Sequence, residues 1–100
     1  MRRKAGTLIP IEADILQAAR RLQAGGASSF HGHMLATQLQ DQTGARQLVA
    51  HGTLYKALIR LERAGYLTSA WEDWEQAQRE GRRQRRIYWL TTEEDNNGTA

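Results

Sequence analysis

One hundred residues suffice for one domain with a modest core and are too few for two. Hydrophobic residues are 40% and charged residues 25% of the chain, ordinary globular usage that argues against wholesale disorder. The chain has no cysteine, which excludes thiol catalysis, disulfides and thiolate zinc sites, and its net charge of +3 is unevenly distributed.

Residues 1–10 read as a basic, flexible arm that opens with Arg2, Arg3 and Lys4 and ends at Pro10. Beyond it Ile11, Ile15, Ala18, Ala19 and Leu22 fall at the spacing of one face of an amphipathic helix. Glu12 and Asp14 in the first turn and Arg20 and Arg21 in the last complement the helix dipole, and Gly25-Gly26 ends the element. After ASSF a second helical pattern places Met34, Leu35 and Leu39 on one side, with His31 and His33 at its start and Gly44 at its end. Residues 43–50 form the connection.

The third helix spans residues 52–64. Leu54, Leu58 and Leu61 make its core stripe, and at about 100° per residue Lys56, Arg60 and Arg63 project from the other side. Gly65 suits a left-handed cap. The period then changes: YLTSAWEDW (66–74) and RIYWLT (86–91) carry aromatic and β-favouring residues near alternation. The polar segment between them, centred on Gly81, reads as a long flexible loop. Trp71, with Tyr88 or Trp89, is expected to pin this hairpin to the helices. TEEDNNGTA at the end has no apolar pattern. The expected organisation is an arm over 1–10, a folded domain over 11–91 and a disordered acidic tail over 92–100.

No apolar run reaches the ~20 residues of a membrane span and no signal-peptide core follows Met1, so a soluble, cytoplasmic, nucleoid-associated protein is expected and no membrane partner. His31 and His33 have neither cysteine nor an acidic cluster near them, and are read as helix-start residues rather than metal ligands. Ser28, Ser29 and the histidines lack an acid or oxyanion partner, so neither an enzyme nor a cofactor is expected. What remains is clustered cation: REGRRQRR, residues 79–86, sets five arginines against Glu80, the footprint of a polyanion binder.

Three helices followed by a basic two-stranded hairpin make an α+β winged helix-turn-helix. A recognition helix needs an apolar face for its own domain and a polar face for a major groove about 12 Å wide. His51, Gly52, Thr53, Tyr55 and Lys56 would lead into that groove, with Arg60 further along the same helix. The wing cations Arg82, Arg83, Arg85 and Arg86 would follow phosphates or the adjacent minor groove. At Tyr55 a groove contact competes with packing. His51 is either a base or phosphate contact or a half-exposed helix start. For the three tryptophans, packing competes with stacking on a planar effector.

HGTLYKALIRLERAGYL, the Trp-Glu after it and GRRQRRIYWLT together resemble the PadR family of bacterial transcriptional regulators. The matching features are Gly52-Thr53-Leu54-Tyr55, the Leu58 and Leu61 stripe, Gly65, and Gly81-Arg82 through Tyr88-Trp89-Leu90-Thr91. His31-Gly32 with Leu35 also resembles the start of that family's second helix. The resemblance implies a regulator, usually a repressor, that binds a pseudo-palindromic operator as a dimer, with Tyr55 on a phosphate and the wing arginines on the backbone.

Three departures stand out. Ala50 replaces the frequent serine, removing a cap worth ~1 kcal/mol. Lys56 stands where proline is common. Where the family's C-terminal dimerisation helix should begin, the sequence reads EEDNNGTA. A homodimer through helix one and the arm is therefore expected, with a monomer or a pairing with another protein as alternatives. A small-molecule effector is left open, because the family's pocket often lies at that dimer interface. Two other functional classes compete: a protein-interaction adaptor built on a winged helix, and a phage or recombination accessory factor that shapes DNA.

Overall fold

Pro10 begins α1 (Pro10–Ala24) in a computed structural model that describes residues 8–91, and its missing N–H is harmless in a first helical turn. The remaining elements are β1 (Phe30–His31), α2 (Gly32–Thr43), α3 (His51–Arg63), β2 (Leu67–Trp71), α4 (Trp74–Arg79) and β3 (Arg86–Leu90). Expectations for residues 1–7 and 92–100 lie outside the described residues.

The helices bury the stripes that their spacing predicts, except that in α2 Ala36 rather than Met34 joins Leu35 and Leu39. Ile15, Leu16, Ala18 and Ala19 of α1 meet Leu35 and Leu39 of α2 and Leu54, Leu58 and Leu61 of α3 in one cluster. Gln42 ties α2 to α1 by donating from Nε2 to the Asp14 carbonyl at 2.9 Å. Gly44, with φ of 73°, ends α2 in the left-handed conformation that a side chain resists. Gly65, with φ of 89°, turns the chain from α3 into β2. Thr91 closes the far end of the hairpin against that turn, its hydroxyl donating to the Gly65 carbonyl at 2.8 Å.

The sheet is antiparallel with the order β1-β3-β2. Phe30 lies opposite Tyr88, and Leu67 opposite Leu90, so the inner face of the sheet joins the helical core. This is a winged-helix fold with two additions to the expected three helices and two strands. The first is β1, two residues long and therefore too short to leave a periodic trace, which fastens the start of α2 to the central strand.

The second addition is α4, which occupies the segment expected to be a flexible loop. Asp73 caps it by accepting from the Gln76 N–H at 3.3 Å, Ala77 is buried, and Gly81 with φ of 71° reverses the chain after it. Of the expected hairpin pins, Tyr88 holds and the tryptophans do not. Trp71 is 62% exposed and Trp89 37% exposed, whereas Tyr88 is buried at 3%. Strand alternation points Trp89 away from the face that carries Tyr88, whereas Trp71 ends β2 largely exposed on the side of Leu67. Burial pushes the Tyr88 phenol up to about 12.

Tyr88→Ala should therefore lower unfolding free energy by about 3–5 kcal/mol, as deletion of a buried aromatic does. Trp89→Ala should change it by less than about 1 kcal/mol. Urea denaturation of both variants checks the contrast, and equal losses would return the anchoring role to Trp89.

Candidate nucleic-acid interface

Burial of Leu54, Ala57, Leu58 and Leu61 fixes the rotation of α3 about its axis. His51, Gly52, Thr53 and Lys56 are left exposed on its leading turns. Ala50 provides no side-chain cap, so the start of α3 depends on its packing rather than on a local hydrogen bond. A Cβ at Gly52 would meet nothing within 4 Å. A glycine there costs helix stability, about 1 kcal/mol against alanine, and no contact within the described chain accounts for it.

Tyr55 leans from α3 onto the start of α2. Its ring centroid is 4.5 Å from that of His51, and a side chain at Gly32 would collide with its hydroxyl. The glycine of the His31-Gly32 pair thus makes room for the tyrosine of the Gly-Thr-Leu-Tyr run. Beside it, His31 Nδ1 accepts from the Met34 N–H at 3.4 Å and caps α2. Only a neutral imidazole can accept there. Burial first, and then the Arg85 charge, hold its pKa below the ordinary value and keep it neutral.

Arg60 departs from the outward course expected of it. Its Nε donates to Glu12 Oε2 at 2.5 Å, and that carboxylate is wholly buried and also accepts from the Ile9 N–H at 3.4 Å. Arg60 thereby braces α3 against α1. The sequence presents Glu12 as a dipole partner in a first turn, and nothing in its spacing discloses the long-range contact.

In the wing, one carboxylate organises the arginines. Glu72 accepts from Arg82 Nη1 at 2.5 Å and Nη2 at 2.8 Å, from the Arg85 N–H at 3.3 Å and from Arg85 Nη2 at 3.4 Å. Arg82 also reaches Glu80 at 2.7 Å. The Arg82 guanidinium foremost, with the Arg85 bonds, holds the Glu72 carboxyl down at about 2. Arg82 is thus engaged in bracing the tip. Arg83 is exposed, Arg85 and Arg86 are half-exposed, and Arg85 Nε has no hydrogen-bond partner among the described residues. The Arg86 guanidinium lies 5.2 Å from the Trp71 ring centre, with Nε donating to Ser69 Oγ at 3.1 Å. The role of Glu72 went unassigned in the sequence, where it is one of four acids (Glu72, Asp73, Glu75 and Glu80) around the arginine run and nothing in its spacing singles it out.

These groups converge. A cavity of about 750 Å3 is lined by His31 and His33 of the α2 start, His51 and Tyr55 of α3, and Trp71, Arg85 and Arg86 of the wing. The described residues include no group of three or more His, Cys, Asp or Glu arranged to hold a metal ion. The cavity instead joins cations and aromatic rings from the start of α2, the head of α3 and the wing.

Residues 21–94 match the Transcriptional regulator PadR-like family. The chain belongs to that family. The PadR-like chain is also similar in fold to a transcriptional regulator from Clostridium thermocellum, with a TM-score of 0.58 and 22% identity over 89% of this chain and 75% of that one. A search of curated proteins finds no match. No helix among the described residues is long and apolar enough to cross a membrane. In this PadR-like wing Trp71 is followed by Glu72, the acid on which Arg82 and Arg85 converge.

The depressed Glu72 pKa sets a direction for pH dependence. Its contribution is fully present above the ordinary value of 4.5 and is lost as pH falls through about 2. Tryptophan emission from the wing should change over that window. In Glu72→Gln the change should vanish, the tip being already loosened at neutral pH. An identical low-pH step in both proteins would show that Glu72 does not hold the wing.

Proposed function

We propose that the protein is a sequence-specific double-stranded DNA-binding transcriptional regulator that acts as a repressor. The first turns of α3 enter the major groove, with His51, Thr53 and Lys56 facing base edges and Tyr55 a phosphate. Gly52 lets the backbone approach. Arg83, Arg85 and Arg86 of the wing follow the flanking backbone, while Arg82 stiffens the tip and Arg60 sets the angle of α3. The observation that carries this reading is the exposure of the leading turns of α3 beside wing cations that line the same cavity. The unexplained openness at Gly52 supports it further.

Two copies would occupy a pseudo-palindromic site, pairing through α1 and the residues before it. The exposed side of α1 carries Gln17, Arg20 and Arg21, polar groups that suit an association completed on DNA rather than a tight free dimer. The role is binding without catalysis, in the cytoplasm where the DNA lies.

Selection of duplexes from a random pool, followed by gel shift across a salt series, tests this reading. Affinity should fall steeply with salt. Arg83→Ala should reduce the slope of log K against log salt by about one and weaken all sequences alike. Lys56→Ala or Thr53→Ala should change the preferred sequence, at about 1–3 kcal/mol per altered base contact. Duplex binding untouched by either class of change would overturn the assignment of faces.

A further inference from the structure

The wing exposes more indole than its packing uses. Trp71, at the end of β2, is 62% exposed and Trp74, at the start of α4, is 57% exposed. Together with Arg82 and Arg83 they line an open cleft of about 630 Å3. Trp71 also forms part of the cavity at the head of α3, beside His51, Tyr55 and Arg86. Rings therefore run from the first turn of α3 through Trp71 to Trp74. Guanidinium groups accompany them, Arg86 over the Trp71 ring and Arg82 and Arg83 in the cleft.

An indole left in water forgoes one of the largest burials a side chain can make. The core of this chain does not call on these two, since Phe30 and Tyr88 fill the inner face of the sheet. Flat apolar faces interleaved with cations match a partner that is anionic outside and planar within. A nucleic acid has that construction, phosphates at the edge and base π-faces inside. The guanidinium groups around the two indoles favour this polyanion over a protein surface.

We propose that the cleft between Trp71 and Trp74 is a base-stacking site. When the wing lies along a duplex, the Trp74 indole enters beside Arg83 and parts one base step, so the DNA is kinked under the wing. Stacking on the indole offsets the lost base–base contact, the device by which apolar wedges deform duplexes. The proposal rests on the DNA-binding reading and adds to it a site and a deformation. It also gives α4 a purpose, since that short helix holds Trp74 at the mouth of the cleft instead of leaving it on a loop.

The test labels the two ends of a duplex selected from a random pool with a fluorescent donor and acceptor, whose energy transfer rises when the duplex is kinked. Full chain and Trp74→Ala are titrated onto it. Trp74 is exposed, so this variant should keep its thermal unfolding curve, and Trp74→Phe serves as the conservative control. The expected result is a rise in transfer with the full chain, restored in part by Trp74→Phe and absent with Trp74→Ala. Affinity of the alanine variant should fall about tenfold. Unchanged transfer with the full chain, and an alanine variant of wild-type affinity, overturn the proposal and leave the cleft to a protein partner while DNA binding stands. Lost affinity without any change in transfer overturns the parted step. A chain that selects no duplex overturns the proposal and the reading beneath it together.

Discussion

The burial of one stripe on α3 is the constraint on which the rest depends. Leu54, Ala57, Leu58 and Leu61 can reach the core in only one rotation of the helix, and that rotation turns His51, Gly52, Thr53 and Lys56 outward. The outer face therefore needs no separate positioning device. The Glu12–Arg60 pair adds a polar fixture to this apolar one, tying α3 to α1 through a carboxylate that the core encloses. Apolar burial sets the rotation, while the directional ion pair restrains the tilt and sliding that apolar contacts permit.

The wing solves a different problem. A hairpin tip has little core to rest on, and a run of arginines repels itself. Glu72 answers both, since it gathers Arg82 and Arg85 and thereby closes the base of the tip. The short α4, with Ala77 buried beneath it, shortens the free loop. The consequence is a division of labour among like residues: Arg82 is committed to the fold, whereas Arg83 remains in solvent. Counting arginines in the sequence cannot make that distinction, because it depends on which of them reach the acid.

Much of the fold was legible in the sequence because it rests on periodic burial. The stripes of α1, α2 and α3, the glycine stop at Gly44 and the turn at Gly65 all stand where spacing and glycine chemistry predict. What escaped depends on contacts between distant residues or on elements too short to have a period. Phe30–His31 gains its strand character only by pairing with β3. Glu12 and Arg60 are far apart in the chain and look like ordinary surface charges on their own helices. Of the expected pins, strand alternation gives Tyr88 the inward position and turns Trp89 outward, while Trp71 ends β2 exposed. The leading turns of α3 were legible, because the leucine stripe alone orients them.

Amide chemical-shift mapping on addition of a selected duplex tests the central claim most directly. The account predicts that the largest shifts fall on residues 51–56 and 83–86, with smaller ones at Gln17, Arg20 and Arg21 of α1 where two bound copies meet. Shifts concentrated on α1, with the leading turns of α3 silent, would contradict it.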